Sequence, residues 1–274
     1  MPGLLTRVEP VLDGKERVGS IGTLIIDNPD RRNAMNAAMY HAVPNAVETL
    51  LEEPDLRCVI VRGSGTEAFC AGSDISEFTD RRMGQEAQGY DRAEHLSWEA
   101  LASIPVPVLA AIHGPCRGGG VAIAMHADLR FAAVNASFSI PPARLGLAYP
   151  PEATRRLIEL VGPANAKMLL LAAPVLDAEQ AARIGLVQEV HPPDELDDRV
   201  NTFAHELARL SPLSLKAAKA TVNAIAAHGS GETVPLRSLS PIAADAIAAC
   251  YDSLDFKEGI QAFMQKRPAQ FRGL

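Results

Sequence analysis

Three consecutive glycines, Gly118-Gly119-Gly120, separate an apolar run ending at Ile112 from a second apolar run through Ala124. Glycines at the start of a helix leave main-chain N–H groups uncovered by any Cβ. Those groups have no intrahelical partner, and the helix dipole there favours negative charge. The stretch can therefore receive a phosphate or an oxyanion, or it can simply let the helix pack close to a sheet. Its spacing is neither G-x-G-x-x-G nor a P-loop with its Lys and Ser/Thr, which argues against a dinucleotide or NTPase site.

A second glycine turn, Phe69-Cys70-Ala71-Gly72-Ser73-Asp74-Ile75, also follows a strand-like run. Read alone it is either a close-approach loop or an ordinary turn into a helix capped by Asp74. Two such loops in one chain make convergence of one N–H from each on a single carbonyl oxygen the more economical reading. Donors of that kind matter because losing one costs about 3–4 kcal/mol of transition-state stabilisation.

The rest of the chain reads as α/β. Leu4–Val8 and Ile21–Asp27 are strand-like and joined through the turn dipeptide Asp13-Gly14. Asn36–Leu51 has helical spacing, with Pro44 expected to kink or interrupt it. Cys58–Val61, Pro107–Ile112 and Asp128–Ala133 read as strands, and Gly119–His126 as a helix. Asp80–Ala100 is polar, with Gly84 and Gly89, and is expected to be a mobile segment leading into a helix that ends near Ser103. Beyond Thr154 strands nearly vanish. Helices are expected over 155–161, 164–171, 178–184, 195–210, 213–227, 242–251 and 256–266, the first two separated by Gly162-Pro163 and the third capped by Asp177.

Charge narrows the partners. The 274-residue chain carries a net charge of −7, which disfavours nucleic acid and membrane surfaces as partners. The four cysteines (Cys58, Cys70, Cys116, Cys250) lie far apart without metal-ligand spacing and read as reduced thiols; no metal is expected. Met1–Pro10 lacks the pattern of a signal peptide, and no apolar run reaches membrane-spanning length, so a cytoplasmic protein is expected.

Five blocks, in order along nearly the whole chain, resemble the crotonase (enoyl-CoA hydratase/isomerase) superfamily. They are Ile25-Ile26-Asp27-Asn28-Pro29 with Arg32-Asn33-Ala34-Met35-Asn36; the Phe69–Ile75 turn; Ala111-Ile112-His113-Gly114 through Gly118–Ala124; Phe138 through Arg144-Leu145-Gly146-Leu147 with Thr154-Arg155-Arg156-Leu157; and Glu258–Arg267. The resemblance implies a crotonase-like spiral of ββα units over 1–205, with a C-terminal helical oligomerisation region over 206–274. It implies an acyl-CoA substrate, no cofactor beyond the coenzyme A that the substrate carries, and a homotrimer or a hexamer of paired trimers. The N–H groups of Ser73 and Gly119 become the expected oxyanion donors. Asn33, Ala34, Ala71, Asp74 and Ile75 are placed near the adenine and pantetheine, with Phe263 and Lys266 reaching the adenine and phosphates from a neighbouring subunit.

The sequence departs from the family's hydratases where proton transfer is concerned. Their two glutamates correspond to Ala122 and Pro142, neither of which can move a proton. Decarboxylation is expected instead, with Tyr149 donating a hydrogen bond, or isomerisation or thioester hydrolysis with Glu152 as base. The resemblance also implies that the loss at Pro142 weakens Δ3,Δ2-enoyl-CoA isomerisation, whose single carboxylate would stand there. A silent acyl-CoA-binding protein and a hydratase with a substituted acid–base pair are the alternatives. Each replacement residue also has a plain reading, Tyr149 as packing and Glu152 as a first-turn helix charge. Arg144 reads as a surface residue or a partner for a substrate carboxylate, and His113 as structural. Glu94, His95 and Trp98 are expected to pack or to shape specificity, and no catalysis is assigned to them.

Overall fold

The computed structural model describes residues 2–82, 87–227 and 240–274. The strands are β1 (Gly3–Asp13), β2 (Glu16–Asp27), β3 (Leu56–Gly63), β4 (Val108–Ile112), β5 (Pro115–Arg117), β6 (Leu129–Ala133), β7 (Ser137–Ser139), β8 (Leu176–Asp177) and β9 (Glu189–His191). The helices are α1 (Ala37–Leu51), α2 (Phe78–Arg81), α3 (Ala87–Ser103), α4 (Gly119–Met125), α5 (Pro151–Ala172), α6 (Ala178–Arg183), α7 (Leu196–Ala208), α8 (Pro212–Ala227), α9 (Pro241–Asp252) and α10 (Leu254–Gln265).

A six-stranded sheet runs in the order β1-β2-β3-β4-β6-β9. The β1–β2 hairpin is antiparallel, and every later neighbour is parallel. Parallel strands need covering on both faces, which is why the centre of β3, Cys58–Val61, is a continuous apolar run rather than alternating. Val59 and Val61 join the larger core, while Cys58 and Ile60 join a smaller one closed by Leu196, Val200 and Ala204 of α7. A second, three-stranded sheet has the order β5-β7-β8.

Several expectations are corrected. α1 runs unbroken through Pro44, with the Asn36 side chain accepting from Met39 N at its start. Most of the segment expected to be mobile is helix, since α3 starts at Ala87; residues 83–86, Gly84 among them, lie outside the described residues. Its apolar stripe of Tyr90, Ala93, Trp98 and Leu101 has helical spacing and buries against the core, which outweighs the polar residues around it. The short strands β5, β7, β8 and β9 escape the sequence reading because two or three residues carry no periodicity. As expected, two helical stretches meet at Gly162, whose non-helical backbone (φ 75°) kinks α5 between them. Asp177 caps α6 in a capping box with Gln180.

Candidate active site

The two glycine loops are stitched together by main-chain hydrogen bonds. Cys70 and Cys116 form a parallel bridge, with Cys70 N donating to Pro115 O at 3.2 Å and Arg117 N donating to Cys70 O at 2.9 Å. Ser73 and Gly119 each lie three residues beyond that bridge, so the pairing carries them side by side. A Cβ built on Gly119 would stand 3.5 Å from Ser73 N, 2.9 Å from Ser73 Oγ and 2.3 Å from the Tyr40 hydroxyl. Only glycine fits at 119 without displacing a buried tyrosine. Gly120 is equally constrained, because a Cβ there would meet Cys70 O at 2.6 Å.

The first loop is held from behind by the 32–36 turn. Ala71 N donates to Arg32 O, Met35 N to Gly72 O and Asp74 N to Met35 O, at 3.0, 2.8 and 2.7 Å. Met35 thus bonds the residues on either side of Ser73, which turns the Ser73 N–H away from Met35. Arg32 and Asn33 adopt left-handed backbone, with φ of 50° and 58°. The Asn33 side chain fixes this turn by donating to Ser64 O and Ala68 O at 3.0 and 2.8 Å and accepting from Asn28 N. Gly119 is the first residue of α4, so its N–H has no partner within the helix.

A cavity opens beside these two residues. Ala71, Ser73, Ile75, Gly118 and Gly119 form one wall; Phe78, Arg82, Glu94 and Trp98 form another; Pro142, Leu145 and Tyr149 close it. The Tyr149 hydroxyl donates to Gly118 O at 3.3 Å. Burial, together with the nearby Glu94 carboxylate, pushes the Tyr149 phenol above its ordinary range, so it remains a donor.

Glu94 and Trp98, expected to pack or to shape specificity, do border the cavity, whereas Arg82 and its pairing with Glu94 are not in the sequence reading. Glu94 is 2% exposed. Its Oε1 accepts from Ser73 Oγ at 2.9 Å and from Arg82 Nη1 at 3.3 Å, while Oε2 accepts from Arg82 Nη2 at 2.9 Å. Ser73 Oγ also contacts the Tyr40 hydroxyl at 2.9 Å, which extends the chain from Tyr40 through Ser73 to Glu94 and Arg82. The Arg82 guanidinium lies over the rings of Phe78 and Tyr90 at 5.0 and 4.9 Å. Burial pushes the Glu94 carboxyl above the usual range, and the Arg82 charge and the Ser73 hydroxyl pull it part of the way back. One signal in the sequence points to the burial of Glu94. Glu94 falls on the stripe of Tyr90, Ala93, Trp98 and Leu101, where an acidic side chain must be buried.

Not all of the other expected site residues line this cavity. Glu152 is exposed and faces a separate depression lined by His95, His126, Arg155 and Arg156, because the first turn of α5 points it away from Tyr149. Ala34 is buried beneath the first loop, and the Asp74 side chain accepts from Ser76 N and pairs with Arg31. Of the residues assigned to coenzyme A, Ala71 and Ile75 line the cavity. Phe263 and Lys266 are exposed at the end of α10. Ala122 is fully buried in the core, whereas Pro142 lines the cavity. Arg144 donates to Ala173 O at 2.8 Å at the end of α5, which gives it a backbone partner. His113 bonds Asp197 at 3.0 Å on the opposite face of the sheet, and Trp98 stacks on His126. The four cysteines are free, and burial pushes the Cys58 and Cys70 thiols up to about 12. No helix among the described residues is long and apolar enough to cross a membrane.

A mixed α/β layer with two stitched glycine loops and a helical C-terminal region defines the class that the comparisons make specific. The family profile described as enoyl-CoA hydratase/isomerase matches residues 16–273. The chain is 34% identical over 256 residues to a crotonyl-CoA hydratase from Syntrophomonas wolfei, covering 93% of this chain and 96% of that protein. It is 30% identical over 252 residues to a short-chain-enoyl-CoA hydratase from Clostridium acetobutylicum, covering 92% and 94%. The crystal structure of an enoyl-CoA hydratase/carnithine racemase from Magnetospirillum magneticum superposes with a TM-score of 0.86 at 32% identity, over 93% of each chain. The chain belongs to the enoyl-CoA hydratase/isomerase family of the crotonase superfamily.

Proposed function

We propose that this protein binds an acyl-CoA and receives the thioester oxygen between the N–H groups of Ser73 and Gly119, stabilising the enolate that forms as a C–H or C–C bond breaks. The observation that carries this reading is the Cys70–Cys116 bridge, which sets two loops so close that a Cβ on Gly119 would lie 3.5 Å from Ser73 N. Backbone donors aimed at a developing oxyanion need no reorganisation during the reaction, which is the source of their effect. The cavity's apolar wall of Ile75, Phe78, Leu145 and Leu147 suits an acyl chain.

The reaction is not crotonase-type hydration. Adding water across a double bond needs groups to manage both ends of the water. Ala122 and Pro142 stand where the resemblance places that pair, and neither can carry a proton. The named relatives are hydratases, but among the described residues lining this cavity Glu94 is the single carboxylate. The C-terminal helices fit a role in assembly, because Ile242, Tyr251, Phe263 and Met264 are exposed apolar residues on α9 and α10 that a second and third copy of the chain would cover.

Acetoacetyl-CoA tests the reading, since its enolate has its own ultraviolet absorption. Mixing with the protein is expected to produce the enolate band. Gly119→Ala keeps the N–H and adds the Cβ, whereas Gly119→Pro adds the Cβ and deletes the N–H. The proline variant should therefore retain about 10²–10³-fold less enolate stabilisation than the alanine variant. Absence of any acyl-CoA binding, or an enolate band in the proline variant as strong as in the unaltered protein, overturns the proposal. Crotonyl-CoA hydration at rates typical of the family would overturn the assignment of the missing pair.

A further inference from the structure

A buried ion pair that only held α2 to α3 would be a poor investment of structure, because desolvating both charges offsets most of their attraction. The Glu94–Arg82 pair does more than join two helices. It faces the cavity, and its carboxylate is hydrogen-bonded to the side chain of Ser73, the residue whose N–H is assigned to the thioester oxygen. A carboxylate has about four acceptor positions. Ser73 and Arg82 occupy three, leaving one on Oε2 open. Glu94 Oε1 stands 2.9 Å from Ser73 Oγ, so a thioester oxygen on the Ser73 N–H would bring its neighbouring carbons toward that carboxylate.

We propose that Glu94 is the proton-transfer residue of this site, with Arg82 and Ser73 as its positioning residues. The inference rests on the acyl-CoA reading above and selects among its reactions. A 3-enoyl thioester supplies the clearest case. The Glu94 carboxylate takes a proton from the α-carbon. The C–H electron pair moves into the conjugated system and onto the thioester oxygen, held by the Ser73 and Gly119 N–H groups. The resulting carboxylic acid returns the proton to the γ-carbon, giving the 2-enoyl thioester and regenerating the carboxylate. Atoms and charge balance with no co-reactant, and one acid–base group suffices. Charge on the wall also selects the acyl group. An anionic Glu94 repels a substrate carboxylate at the β-carbon, so malonyl-type thioesters and their decarboxylation are disfavoured.

The charged and titratable groups around Glu94 are Arg82 at the end of α2, Asp91 and Tyr90 on its own helix, Tyr40 from α1 and Tyr149 from the loop before α5. Arg82 is the cation among them. Its removal raises the pH at which Glu94 ionises and so moves the rise in rate to higher pH.

The test uses the full-length protein and 3-hexenoyl-CoA in D2O. Deuterium uptake at the α-carbon is followed by NMR, and 2-enoyl formation by ultraviolet absorption. Glu94→Gln keeps an acceptor for Ser73 and is expected to lower both rates by about 10²–10⁴-fold, the usual worth of a general acid–base. Should that variant fold poorly, the double variant Arg82→Met/Glu94→Gln carries neither charge and is expected to be folded and equally inactive. Arg82→Met alone should shift the pH–rate profile upward, which a purely structural pair would not do. Glu94→Gln within threefold of wild type, or malonyl-CoA decarboxylation as fast as exchange, overturns the inference. If the protein forms the acetoacetyl-CoA enolate but exchanges no proton from 3-hexenoyl-CoA, Glu94 loses its role while the oxyanion site stands. If neither occurs, both proposals fail.

Discussion

The polar lining of the cavity has two ends joined through Ser73 Oγ: Ser73 and Gly119 offer main-chain N–H groups, and Glu94 and Arg82 offer side chains that hold each other in place. The first end depends on backbone geometry, so it constrains sequence through what must be absent, namely a Cβ at Gly119 and at Gly120. The second end needs only one carboxylate within reach, and any element bordering the cavity could supply it. A function carried by the backbone stays at fixed positions. A function carried by a side chain can move from α4 or the loop after β7 to α3 while the fold and the glycine loops remain.

The charged end is where the largest effect is expected. Arg82→Met leaves the 3%-exposed Glu94 side chain without its cation, and breaking one partner of a buried pair costs about 3–5 kcal/mol. The penalty depends on pH. Glu94 already titrates above its ordinary value through burial, so the folded state holds its proton longer than the unfolded chain does. Its contribution to stability is fully present below the unfolded value and is lost as pH rises through the folded one. Removing Arg82 pushes the folded value higher and widens that window. Urea unfolding of Arg82→Met should therefore show a deficit at neutral pH that shrinks toward pH 4. A deficit independent of pH would mean that Arg82 acts through its packing on Phe78 and Tyr90 instead.

How much of this was legible follows the same division. The two glycine loops and the strands before them could be read because each rests on a pattern several residues long. The Arg32–Asn36 block was seen as a signature, but its work as the frame behind Ser73 was not, since it depends on Asn33 reaching Ser64 and Ala68 across the fold. Glu94 is legible as a residue that packs or shapes specificity, but its pairing with Arg82 and Ser73 is not, because those partners come from other elements. Tyr149 and Glu152 looked like alternatives because they are three residues apart. The helix start at Pro151 then sends one into the cavity and the other out of it.

Tyr149 sharpens the comparison from between the two ends. Its hydroxyl touches the glycine loop at Gly118 O, and its ring lines the cavity wall near Glu94. As a donor to a carbonyl it is expected to orient the loop rather than to transfer a proton. Tyr149→Phe removes one neutral hydrogen bond, worth about 0.5–1.5 kcal/mol, so turnover should fall by about tenfold or less. Loss on the scale expected for Glu94→Gln would move the acid–base role back to the tyrosine.

Glu152 gives the smallest expected change and the sharpest discrimination. It has the chemistry of a general base and sits one helical turn from the cavity, yet it is exposed and faces His126 and Arg155 rather than Ser73. A carboxylate in solvent on the far side of α5 cannot reach an acyl carbon beside Gly119 without unwinding the turn that Pro151 starts. Surface substitutions of this kind stay within about 0.5 kcal/mol, so Glu152→Gln should keep 3-hexenoyl-CoA turnover within about twofold of wild type. Side by side with Glu94→Gln, the same one-atom change on two carboxylates then separates what residue type allows from what position permits.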